Sequence, residues 1–533
     1  MSATTAATPS RSGPRDESKL AAAGSADAWR LLAPRNRMIA GFILALSNFM
    51  VILDLTIANV SIPHIAGNLG ISLDQGTWII TSYAVAEAIS VPLTGWLADR
   101  FGTVRLFLFA MLGFGFFSLL CGMSVSLGML VVCRIGQGLC GGPIMPMSQT
   151  LLVRVFPPEK RSMAMALWAL TTTAGPAAGP IIGGFISDDV SWHWIFFINV
   201  PIALGATIAG WTLLRPIETA TTRKPIDRVG LGLLVFWIGC LQIMLDLGRD
   251  HDWFSDWRIG ALAVCAAVGF CVFLIWELTE EHPVVDLRVF RHRGFTATVM
   301  TQALCFGAFF AGVVVVPQWL QSSLGYTATK AGMVTAMTAT GAILASQFAA
   351  RLLPKVDSRL LVCFGCAWMG LSALVRTRWT SGVESFDLSW PMFMQGLGIP
   401  FMMIPLTSMA LSSVEPKETA SAAGLQNFVR TMSIAIATSV VLTIWGNAQT
   451  TMRSNLVSEL QPGDIQAKLH GLGLNGPQSL AYLSQMVEKE AITLAVNHVF
   501  LIAAAVLFLS SAFVWITPYI PLTRLSGPPK GGH

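Results

Sequence analysis

Apolar runs of about twenty residues recur along this chain, separated by short polar stretches. A helix needs roughly 20 such residues to cross about 30 Å of hydrocarbon. Runs of that kind lie near 38–58, 76–97, 104–123, 127–150, 162–186, 194–214, 228–248, 259–279, 296–319, 329–350, 360–376, 390–412, 421–445 and 496–517. The pattern predicts fourteen membrane helices and an all-α polytopic membrane protein. Residues 1–37, rich in Ala, Ser, Arg and Pro, read as a disordered tail. They are not a signal peptide, because no apolar core follows a short basic start. Residues 521–533 read as a second tail.

Basic residues order the loops. The first tail carries Arg11, Arg15, Lys19, Arg30, Arg35 and Arg37. Alternate loops then carry Arg100 with Arg105, Arg154 with Lys160 and Arg161, Arg215 with Arg223, Lys224 and Arg228, and Arg288 with Arg291 and Arg293. Further on come Arg351, Lys355 and Arg359, then Lys417, then Arg524 and Lys530. The intervening loops 59–75, 124–126, 187–193 and 320–328 carry none. Lys and Arg concentrate on the cytoplasmic side. The alternation survives only with an even number of helices, so both termini are predicted cytoplasmic. Residues 446–495 then form one long polar non-cytoplasmic segment, helical from Gln478 onward. It is either an inert linker or a docking surface or lid.

The chain repeats itself at an offset of about 258. Gln137, Gly138, Leu139 and Met145 fall on Gln395, Gly396, Leu397 and Met403; Asp99 falls on Asp357 and Pro158 on Pro416. Two parallel six-helix halves, 38–214 and 296–520, are expected, with an inserted helix pair in 215–295. Parallel halves around a midplane site are a transporter architecture.

Composition agrees. Of 533 residues, 53% are hydrophobic and only 12% charged, against about 25% charged in soluble domains. This excludes most cytosolic enzymes and disulfide-stapled classes. The net charge of +5 is small, and no nucleic-acid partner is expected. Cys363 and Cys366, with two residues between them inside an apolar run, read as packing. His282, His292 and His470 are scattered, so no metal site is expected. No phosphate-binding glycine loop, metalloprotease helix or nucleophile elbow is present, so neither an ATP-driven pump nor an enzyme is expected.

Charges inside a membrane are costly and usually functional. Asp54, Glu87, Arg134 and Arg430 fall within apolar runs; Asp246 and Glu277 lie near run ends, within reach of water. Asp54 and Arg134 are either a buried structural pair or a proton carrier tuned by its arginine. Glu87 is a second proton site, a counter-ion for a cationic substrate, or a satisfied polar residue. Arg430, Gln137 and Gln395 are candidates for a substrate cavity. Met and aromatic residues crowd the second half, including Phe306, Phe310, Met333, Met392 and Met403. They are core or lipid-facing packing, or an adaptable binding surface.

Three motifs carry a family resemblance. The loop Gly95-Trp-Leu-Ala-Asp99-Arg100-Phe-Gly102-Thr-Val-Arg105 closely resembles the signature of the major facilitator superfamily. Arg134, in "CRIGQG", matches that superfamily's helix-four arginine. The run "AGPAAGPIIGGFI", with Gly175, Pro176, Gly179, Pro180, Gly183 and Gly184, looks like its antiporter motif. A glycine every fourth residue makes a smooth face, read as a packing seam and, compatibly with that, as a deformable seam between the halves. Asp99 is placed to cap a helix N-terminus or to pair with Arg105 or Arg161. With "LDLTIANVSIP", "WHWIFFINVP" and fourteen spans, residues 38–520 resemble the EmrB-type multidrug transporters of the 14-helix drug:proton antiporter family. The resemblance implies the major facilitator fold and proton-driven export of lipophilic toxic compounds through the cell inner membrane. No cofactor beyond the proton gradient is implied. Expected partners are lipophilic small molecules, protons, membrane lipid, a periplasmic membrane-fusion adaptor and an outer-membrane channel. The alternative is a dedicated exporter of an endogenous amphiphile such as a fatty acid.

Overall fold

The computed structural model describes residues 28–222, 225, 227–248, 253–459 and 476–518. A 3₁₀ turn, Ala28–Leu31, precedes the first long helix, so ordered chain begins inside the segment expected to be a tail. The helices are α1 (Pro34–Leu69), α2 (Leu73–Ser90), α3 (Thr94–Phe101), α4 (Thr103–Gly122), α5 (Leu127–Gly141), α6 (Ile144–Val155), α7 (Arg161–Asp189) and α8 (Asn199–Leu214). Then come α9 (Arg228–Leu247), α10 (Trp257–Thr279), α11 (Arg293–Ser322), α12 (Ala328–Leu352), α13 (Ser358–Arg376), α14 (Ser385–Ser412), α15 (Thr419–Glu459) and α16 (Gly476–Phe513). No strand occurs among the described residues.

Two rods are interrupted by proline. Pro92 separates α2 from α3, and Pro143 separates α5 from α6. Proline lacks the N–H that would continue the helix. Counting each interrupted pair as one rod gives fourteen. Among the described residues twelve are long and apolar enough to cross a membrane. The other two, α2 with α3, and α7, carry Glu87 and the glycine–proline run.

The two halves, α1–α8 and α11–α16, meet along α7 and α12, where Gly332 lies against Ile181. They meet again where α15 packs on α3 and α6. At Gly95 of α3 a Cβ would approach the Ser421 backbone of α15 to 2.8 Å. Glycine is what permits that contact. The inserted pair, α9 and α10, sits beside the halves: α9 packs on α2 and α15. Ser439 Oγ of α15 donates to the Leu245 carbonyl (2.8 Å), and Trp253 Nε1 donates to Thr443 Oγ1 (3.0 Å).

The segment 446–495 is mostly helix. α15 runs to Glu459 and α16 starts at Gly476; residues 460–475 lie outside the described ones. At 1.5 Å per residue a 41-residue helix is about 60 Å long, twice what hydrocarbon requires. Beyond the apolar stretch Gln449 Nε2 donates to Glu488 Oε1 (2.5 Å), and Arg453 pairs with Glu488 at 3.3 Å.

Candidate functional site

The sequence places Asp54 mid-helix in α1 and Arg134 in α5, and the fold brings them together. Arg134 Nη1 lies 2.6 Å from Asp54 Oδ2, and both side chains are fully buried. The other carboxylate oxygen accepts from Gln137 Nε2 (3.0 Å) and Asn199 Nδ2 of α8 (2.7 Å). Arg134 also donates to Gln137 Oε1 and to the Ile79 carbonyl, and its guanidinium lies 4.3 Å from the Tyr83 ring centroid. Ser118 of α4 accepts from Asn199 (3.1 Å). A buried charge pair is tolerable only when its remaining lone pairs and protons are also met. Here the acid is saturated, while Arg134 Nη2 is buried without a partner.

Glu87 is buried one helical turn beyond Tyr83 and forms no ion pair among the described residues. The cations within electrostatic reach are Arg430 and, more weakly, Arg134. The α5–α6 break lies beside Glu87, since a Cβ on Gly142 would come within 2.9 Å of the Glu87 carbonyl. A Cβ on Gly138 would come to 2.5 Å from the Tyr83 carbonyl. These glycines seat α5 against α2.

Arg430 projects from α15 between the halves, 5.5 Å from the Trp168 ring and 5.6 Å from the Phe306 ring. Its Nη2 touches Met145 Sδ, and its Nη1 is buried without a hydrogen bond. Beside it runs a buried amide chain that sequence reading missed. Asn427 donates to Gln149 (2.7 Å), Gln149 to Gln426 (3.2 Å) and Gln426 to Gln302 (2.7 Å). It joins α6 of one half to α15 and α11 of the other. Polar residues within apolar runs were the available signal; amides are too common for that signal to select these four.

The three residues proposed for a cavity are not gathered. Gln137 belongs to the Asp54 cluster, Gln395 faces Gly312 and Arg376, and Arg430 stands between the halves. A cavity of about 360 Å³ lies elsewhere, between α11, α15 and α16, lined by apolar groups such as Gly307, Ala311 and Val440 with Ser433.

The glycine run also differs from one expectation. Cβ atoms on Gly175, Gly179 and Gly183 would meet Ile52, Thr56 and Ile57 of α1. The glycine face is thus a packing seam inside one half, flanking Asp54, because residues four apart share a helix face. Ile181, on the other side of α7, makes the inter-half contact. Gly184 is buried; the side chains of Pro176 and Pro180 lie outside the described residues.

In the Gly95–Arg105 loop the α4 N-terminus is capped by Glu218. The Glu218 carboxylate accepts from the Val104 and Arg105 amides at 3.0 and 2.9 Å and lies 4.0 Å from Arg105 Nε. A carboxylate suits the positive end of a helix. Glu218 arrives 113 residues later in the chain, so no local spacing announces it. Asp99 offers its backbone carbonyl to Thr222 (2.8 Å), and Arg100 lies over Trp96. Gly102 adopts φ +91° beside Glu218, a conformation that favours glycine. No cluster able to hold a metal ion occurs among the described residues.

Comparison with known proteins covers nearly the whole chain. The Major Facilitator Superfamily profile matches residues 44–438. The multidrug export protein EmrB of Escherichia coli (strain K12) is 42% identical over 496 residues, 92% of this chain and 96% of that one. The fatty acid resistance protein FarB of Neisseria gonorrhoeae is 39% identical over 499 residues, 92% and 97% of the two chains. The crystal structure of the human organic anion transporter MFSD10 (TETRAN) superposes with a TM-score of 0.55 at 12% identity, covering 89% of this chain and 100% of that one. That likeness is one of fold.

Proposed function

The chain belongs to the Major Facilitator Superfamily, and from that membership we propose how this multi-pass membrane transporter works. It is a multidrug exporter of the EmrB type, driven by protons. The observation that carries the coupling is the Asp54–Arg134 pair, buried among α1, α4, α5 and α8. Ionised, Asp54 holds Arg134, Gln137 and Asn199 and ties α1 to α5 and α8. A proton on Asp54 removes the charge that holds Arg134, so these helices can shift relative to one another. Substrate binds the deprotonated state and competes with the proton. Glu87 is the second acid, facing the space that Arg430 shares, where a lipophilic cation gains most from a low dielectric.

Both termini lie in the cytoplasm and the chain sits in the inner membrane. The extramembrane ends of α15 and α16, clasped through Glu488, are the docking surface for a periplasmic membrane-fusion adaptor, which passes substrate to an outer-membrane channel. A second reading, a dedicated exporter of an amphiphilic anion such as a fatty acid, is favoured by Arg430 Nη1, buried without a partner, and by the likeness to a fatty acid resistance protein.

The test is proton release from purified protein in detergent on adding tetraphenylphosphonium or laurate. Wild type releases protons. Loss confined to Asp54→Asn makes Asp54 the coupling site and Glu87 secondary. Unchanged release in both Asp54→Asn and Glu87→Gln sinks the assignment and moves attention to Asp246 and Glu277.

A further inference from the structure

Applied to the buried pair, the 258-residue offset exposes an asymmetry. Asp54 falls on Gly312, Arg134 on Met392, Gln137 on Gln395 and Ser118 on Arg376. The helices correspond too: α11, α13 and α14 of the second half take the places of α1, α4 and α5. The second half therefore keeps a cation and an amide at this depth, and lacks the acid.

Arg376 is 1% exposed. Its Nε donates to the Ser372 carbonyl at 3.3 Å, its Nη1 lies 3.7 Å from Met392 Sδ, and its guanidinium stacks 4.8 Å from the Phe500 ring. None of these neighbours is an anion, and no carboxylate lies within ion-pair distance of it among the described residues. A buried cation without a counter-charge is expensive. Next to it the backbone is bare. A Cβ on Gly312 would meet two side-chain nitrogens, Arg376 Nη1 at 3.3 Å and Gln395 Nε2 at 3.9 Å. Two donors thus converge on the place where the first half presents its carboxylate. There Arg134 and Gln137 hold Asp54 in the same way, at 2.6 and 3.0 Å.

We infer that Arg376 and Gln395, converging beside Gly312, form a binding site for a monovalent anion in the second half. The anion is either the carboxylate of an amphiphile or a halide. Arg376 supplies the charge and a donor, and Gln395 supplies a second donor. The site does not depend on the proton-coupling assignment, because it is read by binding and not by transport.

The experiment is equilibrium binding of radiolabelled laurate and of chloride to the purified full chain in dodecylmaltoside. Wild type, Arg376→Gln, Arg376→Lys and Gly312→Asp are compared, each first checked as monodisperse. Hydrogen bonds to a charged group set the scale, so laurate or chloride affinity should fall at least about tenfold in Arg376→Gln. Gly312→Asp supplies an internal carboxylate. It should abolish anion binding and raise the melting temperature, and it tests the site even if Arg376→Gln fails to fold. Arg376→Lys keeps the charge and should bind within about threefold of wild type. Laurate displaced by chloride assigns the site to a halide; laurate held against excess chloride assigns it to an organic carboxylate. Absence of anion binding in wild type overturns the inference. So does wild-type affinity in a folded Gly312→Asp.

Discussion

The two halves hold the same helices at the same depth and use them for opposite electrostatics. In the first half Asp54, Arg134, Gln137 and Asn199 close into a neutral, mutually bonded cluster. In the second half Gly312, Met392, Gln395 and Arg376 leave one cation among sulfur, aromatic and amide groups. A neutral pair can change state by taking up one proton. A lone cation cannot discharge in that way and has to be met by something from outside. The comparison teaches that a repeated architecture need not repeat its chemistry. In the proposed reading coupling belongs to one half, and the other is left free to recognise a ligand.

The largest expected effect breaks the pair against its counterpart. Arg134→Gln strands the Asp54 carboxylate in the core and should cost about 3–5 kcal/mol of stability. Arg376→Gln strands no charge and should change stability by less than about 1 kcal/mol. Thermal unfolding in detergent compares them, and Asp54→Asn combined with Arg134→Gln should recover part of the first loss. Equal costs at the two positions would mean that Arg376 is also paired, and the asymmetry would fall.

A smaller effect concerns how α1 is seated. Gly179→Val places a Cβ about where Thr56 already stands, 2.5 Å from its Cβ. Overpacking of this kind costs about 1–3 kcal/mol. It should also push α1 off α7 and weaken proton release, since Asp54 lies two residues from Thr56. Normal proton release from a destabilised Gly179→Val would separate that packing seam from the coupling.

The smallest effect is on pH dependence in the matching loop of the second half. Asp357 caps α13, and its carboxylate accepts from the Arg359 amide and side chain. Burial pushes its pKa up, but the Arg359 hydrogen bonds and charge outweigh that and leave it below the ordinary 3.8. A depressed folded-state pKa gives stability that is fully present above the unfolded value and lost as pH falls through the folded one. Wild type should therefore lose stability on acidification below about pH 4, and Asp357→Asn should lose less. Parallel acid-unfolding curves for the two would remove this capping role.

Legibility followed the range over which each feature is encoded. Asp54 and Arg134 stood out because a charge inside twenty apolar residues is conspicuous, and their partnership was one of the two readings available. Asn199, which bonds the same carboxylate from 145 residues away, did not stand out, being an ordinary amide at a helix start. Arg376 closes an apolar run and did not stand out there; the fold buries it. Glu218 sits in a loop of mixed charge, and only the return of that loop to α4 makes it a cap. Gln149, Gln302, Gln426 and Asn427 become one network only when the halves close on each other.

What the sequence alone determined is whatever the membrane demands locally. Crossing hydrocarbon takes about 20 apolar residues with every backbone group bonded inside the helix. Each span and the loop signature can therefore be read in place. Which side chains meet is decided by tertiary structure, because pairing in a low-dielectric core depends on ångström distances between residues some 80 to 280 positions apart. The neutral cluster around Asp54 and the unmatched cation at Arg376 differ in residues, with Asp54 standing where the second half has Gly312, and only the fold shows what each charge meets.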